Sequence, residues 1–206
     1  MASIEDEINA YRNRMWFTRK AWIIAEARLL ANEMHAQSLM VFYSIYSACV
    51  SILLLKYSAL PQVVTKVFRE DIANIFSATF SIILLCLSLH LGTKSFKERA
   101  KKFKGGYIEM QSINDELGLA LISGTNLPDC FTAARKRYEK ILDETENHSE
   151  FDDLYSRFSA GTGLNSRLLT KLDLTRLVLY YTKRKIFISF FYAMPIIVIG
   201  CLFFFG

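Results

Sequence analysis

The residues of this chain that could do acid–base, nucleophilic or metal chemistry are scattered rather than grouped. The histidines, His35, His90 and His148, are each isolated, and there is no HExxH. The cysteines, Cys49, Cys86, Cys130 and Cys201, have neither the spacing of a disulfide framework nor that of a zinc site. Gly161-Thr162-Gly163-Leu164 is too short for a phosphate loop and lacks its lysine, so it reads as a linker. The carboxylates Asp152 and Asp153, with Glu150 nearby, fit the acidic first turn of a helix better than a metal site, because they meet the positive end of the helix dipole there. No catalytic residue, bound metal or cofactor is expected, and no enzymatic activity.

The polar groups that stand out are hydroxyls inside apolar segments. At roughly 100° per residue, Ser44, Ser47 and Ser51 fall within one narrow arc, with Gln37 on the same side. Ser77, Ser81 and Ser88 share one face of a second segment. Two readings of these faces stand. They can line a water-filled path made by several chains, because polar groups within a membrane face protein or water. They can equally be small-residue packing faces, since Ser44 and Ala48, like Ser47 and Ser51, have the small-xxx-small spacing that lets helices approach closely.

The elements that carry these serines are hydrophobic. No charged residue occurs between Glu33 and Lys56, nor between Asp71 and Lys94. Each gap is about 22 residues, and a helix crosses the hydrocarbon core with roughly 20. A third uncharged run, 186–206, follows Lys183-Arg184-Lys185 and contains Pro195, which should free the carbonyl of Phe191. The chain has 206 residues, 52% of them hydrophobic and 22% charged, with few glycines and prolines. Its fold class is therefore predicted to be all-α, an integral membrane helical hairpin plus a third C-terminal span, with long helices extending into a cytosolic helical bundle. The boundaries are 1–36 for a cytosolic amphipathic helix, 37–55 for the first span, 56–71 for an external link, 72–92 for the second span, 93–185 for a cytosolic helical region and 186–206 for the third span.

The charge of +5 is concentrated beside these runs, above all in Lys94, Lys97, Arg99, Lys101, Lys102 and Lys104. That is the Lys/Arg bias of cytoplasmic flanks, and it puts the N-terminus in the cytoplasm. Direct nucleic-acid binding through this stretch is the less favoured reading. The first residues are acidic and no apolar core follows them, so a signal peptide is not expected.

Helical periodicity fills in the rest. Ser3 can cap a helix whose apolar positions, Ile4, Ile8, Tyr11, Met15, Trp22, Ala25 and Leu29, follow a heptad seam, with Trp16, Ile23, Ala27 and Leu30 widening the face. Phe96, Phe103, Met110 and Leu117 repeat every seven residues, with Ile113 and Ala120 between, and can pack against the first seam. Gly105-Gly106 is expected to interrupt that second seam. Further helices are predicted at about 129–146 (Phe131, Tyr138, Ile141 and Leu142 inward), over the acidic stretch holding Phe151, Leu154, Tyr155 and Phe158, and from Leu164 onward.

Arg14-Met15-Trp16-Phe17-Thr18-Arg19-Lys20-Ala21 leading to Ala25-Glu26-Ala27-Arg28-Leu29, and the serine- and tyrosine-bearing hairpin that follows, carry a resemblance to the SLATT family of bacterial two-transmembrane effectors. Its most specific part is Tyr138-Glu139-Lys140-Ile141-Leu142, then Glu146-Asn147-His148-Ser149 and Asp152-Asp153-Leu154-Tyr155. It covers about 1–160, and the last span looks like that of longer variants, some of which occur beside reverse transcriptases. The resemblance implies an inner-membrane effector of antiphage conflict systems that oligomerises in the lipid bilayer and forms a pore or disrupts the membrane, causing cell death or arrest. It also implies a companion nucleotide-signal enzyme or reverse transcriptase. It marks Tyr138, Glu146, Asn147, His148, Asp153 and Tyr155 as structural or regulatory. The physical alternative is that Asn147 and His148 end a helix while Glu146 pairs with Arg137 or Lys140. A non-conducting membrane scaffold that recruits a partner enzyme is the competing function.

Overall fold

The computed structural model describes residues 3–57, 70–124, 126–159 and 169–205, with side chains described over 3–52, 78–124, 126–159 and 169–197. Among the described residues the backbone is all helical: α1 (Ile4–Tyr57), α2 (Glu70–Thr93), α3 (Phe96–Ser123), α4 (Leu127–Glu144), α5 (Glu150–Ser159) and α6 (Lys171–Phe205). The expected start of the last helix at Leu164 lies outside these residues.

The helix ends follow from local chemistry. Ser3 and Asp6 form a reciprocal cap on α1, the Asp6 amide donating to Ser3 Oγ (3.2 Å) and the Ser3 amide to Asp6 Oδ2 (3.1 Å). Thr170 and Asp173 repeat the device on α6, at 3.1 and 3.2 Å. α2 and α3 are separated at Ser95, whose φ of 45° is left-handed.

The chain divides into two compact units, one made of Met1–Ala31 and Phe96–Tyr181, the other of Asn32–Ser95 and Thr182–Gly206. In the first, Ile8, Met15, Trp22, Ala25 and Leu29 of α1 form one core with Ala100, Phe103, Met110, Ile113 and Leu117 of α3 and Ala134, Tyr138 and Ile141 of α4. The heptad spacing is what brings these α1 positions to one face. The widened face differs from expectation: Phe17 and Ala21 are buried, whereas Leu30 is exposed and Ile4 is exposed at the helix start. Leu142 is likewise exposed rather than inward, and of the apolar residues of α6 in this unit Leu177 is the buried one.

The expected interruption at Gly105-Gly106 does not occur, and α3 runs straight through it. The reason is steric. A Cβ on Gly106 would collide with the ring of Trp22 and come within 3.2 Å of Ile141 Cγ2, whereas nothing lies within 4 Å of the corresponding position on Gly105. Gly106 is thus the floor of the slot that seats Trp22, whose ring also meets Phe103 edge-on at 5.4 Å. Gly106→Ala should destabilise the protein by about 1–3 kcal/mol through overpacking. Gly105→Ala should stabilise it by up to about 1 kcal/mol through helix propensity. Thermal melts of the two variants in detergent would show opposite shifts.

Candidate functional site

Two polar constellations are built into the packed interior, one in each unit. In the first unit, Ser149 precedes α5 and Asp152 lies in its first turn, the spacing of a capping box. The Ser149 amide and hydroxyl both donate to Asp152 Oδ2, at 2.9 and 2.7 Å. Arg28, from α1, closes the arrangement with a two-pronged pair: Nε to Oδ1 at 2.8 Å and Nη2 to Oδ2 at 2.9 Å. The Asp152 side chain is fully buried and that of Arg28 is 16% exposed. The carboxylate hydrogen bonds push the Arg28 guanidinium further above its ordinary range. Phe151 stacks on Tyr180 of α6 at 4.2 Å, and Arg176 reaches Glu150 at 3.1 Å, so both α1 and α6 hold the short α5.

The family-motif positions lie in the same unit. Tyr138 is buried, donates to Thr18 Oγ1 at 3.0 Å and meets Tyr11 edge-on at 5.5 Å. Burial pushes both phenols up, that of Tyr11 to about 12. Glu146 pairs with Arg99 of α3 at 2.7 Å, which replaces the expected partners. Arg137 instead binds Glu116 at 2.7 Å, holding that carboxyl below its usual range, and Lys140 lies 3.7 Å from Glu144. Asn147 is exposed, and His148 Nδ1 is 3.4 Å from the Ser149 carbonyl. Asp153 pairs along its own helix with Arg157 at 3.0 Å, and Tyr155 is an exposed ring beside Phe151 and Phe158. Of the adjacent acids, Asp152 is the one sealed in the interior. From the sequence Asp152 reads as a first-turn acid, and nothing there points to its pairing with Arg28, although both lie within the quoted motifs.

In the second unit the centre is Tyr43, 5% exposed. Its hydroxyl donates to the Phe191 carbonyl at 2.7 Å, with Met194 Sδ at 3.9 Å. Phe191 precedes Pro195 by four residues, so its carbonyl is the one that the proline ring deprives of a helical donor. Tyr46 donates to the Pro195 carbonyl at 3.4 Å. Phe80 of α2 packs on both tyrosines at 5.7 Å, and Phe42 meets Tyr192 at 5.5 Å, so aromatic rings join all three helices of this unit. Arg184 adds a hydrogen bond to Asn32 Oδ1 at 2.8 Å.

The serine faces are placed differently. Ser44 Oγ donates to the Met40 carbonyl at 2.8 Å and Ser51 Oγ to the Ser47 carbonyl at 2.9 Å, each within α1. Ser44 and Ser81 are exposed on the unit, whereas Ser47, Ser51 and Ser88 are half-buried. The Ser77 side chain lies outside the described residues.

The outer surface of this unit is apolar: Val41, Ile45 and Ile52 of α1, Ile82, Ile83, Leu85 and Leu89 of α2, and Ile186, Phe187, Phe190, Ile196 and Ile197 of α6 are all at least half exposed. Among the described residues one helical run, Ala78–Ser123, is long and apolar enough to cross a membrane, and none of its apolar window is buried. That run takes in the end of α2 and all of α3.

Neither constellation has the layout of a reaction centre. Among the described residues no group of three or more His, Cys, Asp or Glu side chains is placed to hold a metal ion. A cavity of ≈ 10 Å³ lined by Met15, Trp16, Arg19 and Asn114 has room for about one water. What the two sites can do is hold helices in one arrangement. Removing either partner of the buried pair, as in Arg28→Ala or Asp152→Ala, should cost about 3–5 kcal/mol, because the remaining charge is stranded. Tyr43→Phe should cost only about 1 kcal/mol, the net scale of one hydrogen bond. Denaturation followed by tryptophan fluorescence would rank them; equal losses would contradict the assignment.

A family model described as SMODS and SLOG-associating 2TM effector domain family 5 matches residues 4–206. No curated protein and no solved structure matches the chain.

Proposed function

The chain belongs to the SMODS and SLOG-associating 2TM effector domain family 5, and from that premise we propose that it is a membrane effector of a bacterial conflict system that oligomerises and permeabilises the inner membrane when its first unit is disturbed. The match includes α6, so the last helix belongs to the family domain rather than lying beyond it.

The observation that carries this reading is the inverted polarity of the second unit. Its interior holds hydrogen-bonded tyrosines and its outside is a continuous display of Ile, Leu, Val and Phe on three helices. Water would oppose that arrangement at about 25 cal/mol for each Å² of apolar surface exposed, whereas lipid does not. On this reading residues 37–55, 72–92 and 186–206 cross the bilayer. The lysines after α2 and before the C-terminal run keep the N-terminus and the first unit in the cytoplasm.

One helical hairpin is too narrow to surround a water path, so conduction needs several copies. The exposed serines, Ser44 and Ser81, mark the faces through which copies would meet, with Ser47, Ser51 and Ser88 half-buried on the same helices and Ser77 assigned to the face of Ser81 by its spacing alone. The motif residues Tyr138, Glu146, Asn147, His148, Asp153 and Tyr155 lie, like the buried pair, in the first unit, and we assign them to its sensing role. A companion signalling enzyme, as the family description suggests, would act there. A non-conducting scaffold is the alternative, favoured by the fact that Ser44 and Ser51 already satisfy their hydroxyls within α1.

Induced expression with a potential-sensitive dye and propidium iodide separates the two. The pore reading expects depolarisation before growth arrest. It also expects Ser44→Leu combined with Ser81→Leu to insert normally yet lower dye entry at least tenfold. Arrest at normal membrane potential would remove the pore and leave the scaffold.

A further inference from the structure

α3 begins with Phe96, directly after the apolar run of α2 and the turn at Lys94-Ser95. Its first turns carry Lys97, Lys101 and Lys104, spaced four and three, which puts them on one face of the helix. All three are exposed, and none forms an ion pair among the described residues. Ile108 continues the same face and is 54% exposed. Arg99, on the opposite side of the helix, is the basic residue here that finds an acid, Glu146. Glu98, on the flank of the stripe, is the nearest carboxylate in sequence and is also exposed. The acids farther along α3, Glu109 and Glu116, are engaged by Arg137 at 3.8 and 2.7 Å.

We propose that Lys97, Lys101 and Lys104 form a docking stripe for the phosphate groups of anionic phospholipids in the leaflet beside the end of α2. The inference rests on the reading that α2 crosses the membrane with its Lys94 end in the cytoplasm. From Lys97 to Lys104 the helix rises about 10 Å, within the reach over which an anionic surface attracts lysines. An ammonium on a flexible stem suits headgroups that diffuse and exchange, since it makes no demand for a fixed bidentate geometry. The exposed Ile108 extends the stripe with an apolar side chain. The apolar run that immediately precedes the stripe in the chain favours lipid over a nucleic acid.

The test uses the full-length protein in detergent. Native mass spectrometry would compare retention of phosphatidylglycerol with that of phosphatidylcholine, alongside a salt-dependent binding assay with a labelled RNA oligonucleotide. The wild type should retain phosphatidylglycerol preferentially. Lys97→Gln, Lys101→Gln and Lys104→Gln together should weaken that retention on the order of a hundredfold, at roughly fivefold per charge. The three Lys→Arg changes should preserve it, and Lys136→Gln on α4 should leave it unchanged. Equal retention of the two lipids, or a triple Gln variant that behaves as wild type, would overturn the proposal, as would RNA binding lost in that variant without any phosphatidylglycerol preference. Carbonate extraction of membranes distinguishes the two failures. Release of the protein would refute the membrane reading, whereas an inserted protein without lipid preference refutes the stripe alone.

Discussion

The seam between α1 and α3 is the interaction on which the first unit depends, and its tightest point is Trp22 over Gly106. Both helices must present apolar residues at heptad spacing to bury a common face, and the glycine lets the largest side chain of that face lie flat against backbone. The seam also dictates chain topology. Leu29 and Ala100 share one core although the intervening residues form the second unit. The chain therefore leaves the first unit after Ala31 and re-enters it at Phe96.

Apolar packing accounts less well for α5. That helix buries Leu154 but also Asp152 and Ser156, a poor hydrophobic yield for ten residues. Its position is fixed by the Arg28 guanidinium and by Ser149, which together give the Asp152 carboxylate four donors. A buried pair of this kind adds little net stability over a well-packed apolar isostere, yet it is costly to break. Such an element holds one geometry firmly and does not tolerate a half-made alternative. That is the behaviour the proposed signalling role would require of α5.

Periodic features were legible in the sequence because they need only local spacing. The α1 and α3 seams, the cap at Ser3 and the carbonyl freed by Pro195 all follow from rules acting within a few residues. Partners across long separations were not. Arg28 and Asp152 lie 124 positions apart, and Asp152 reads as one more acid in a helix first turn beside Asp153, which pairs within its own helix. Glu146 has basic residues nearby on α4 but finds Arg99 on α3, because the chain leaves α4 as it passes Thr145, in extended conformation. Gly106 misleads for a related reason: propensity counts its missing side chain as a loss, while the tertiary fold uses the space. The Tyr43 donor to Phe191 needed two helices placed side by side before it could be seen.

That tyrosine bears on how the serines are to be read. A carbonyl left open by proline in an apolar environment must find a donor, and here a neighbouring helix supplies it. Tyr43 and Tyr46 therefore hold the second unit together, and its internal hydrogen bonding does not call on the serine hydroxyls of α1. Ser44 and Ser51 bond back to their own helix, which makes them small, nearly neutral surface elements. A hydroxyl in that state is compatible with lipid, with a second helix or with water, and so does not by itself define a channel. Its small size matters more than its polarity: on a face otherwise crowded with Ile, Leu and Phe, it is where another helix can come close.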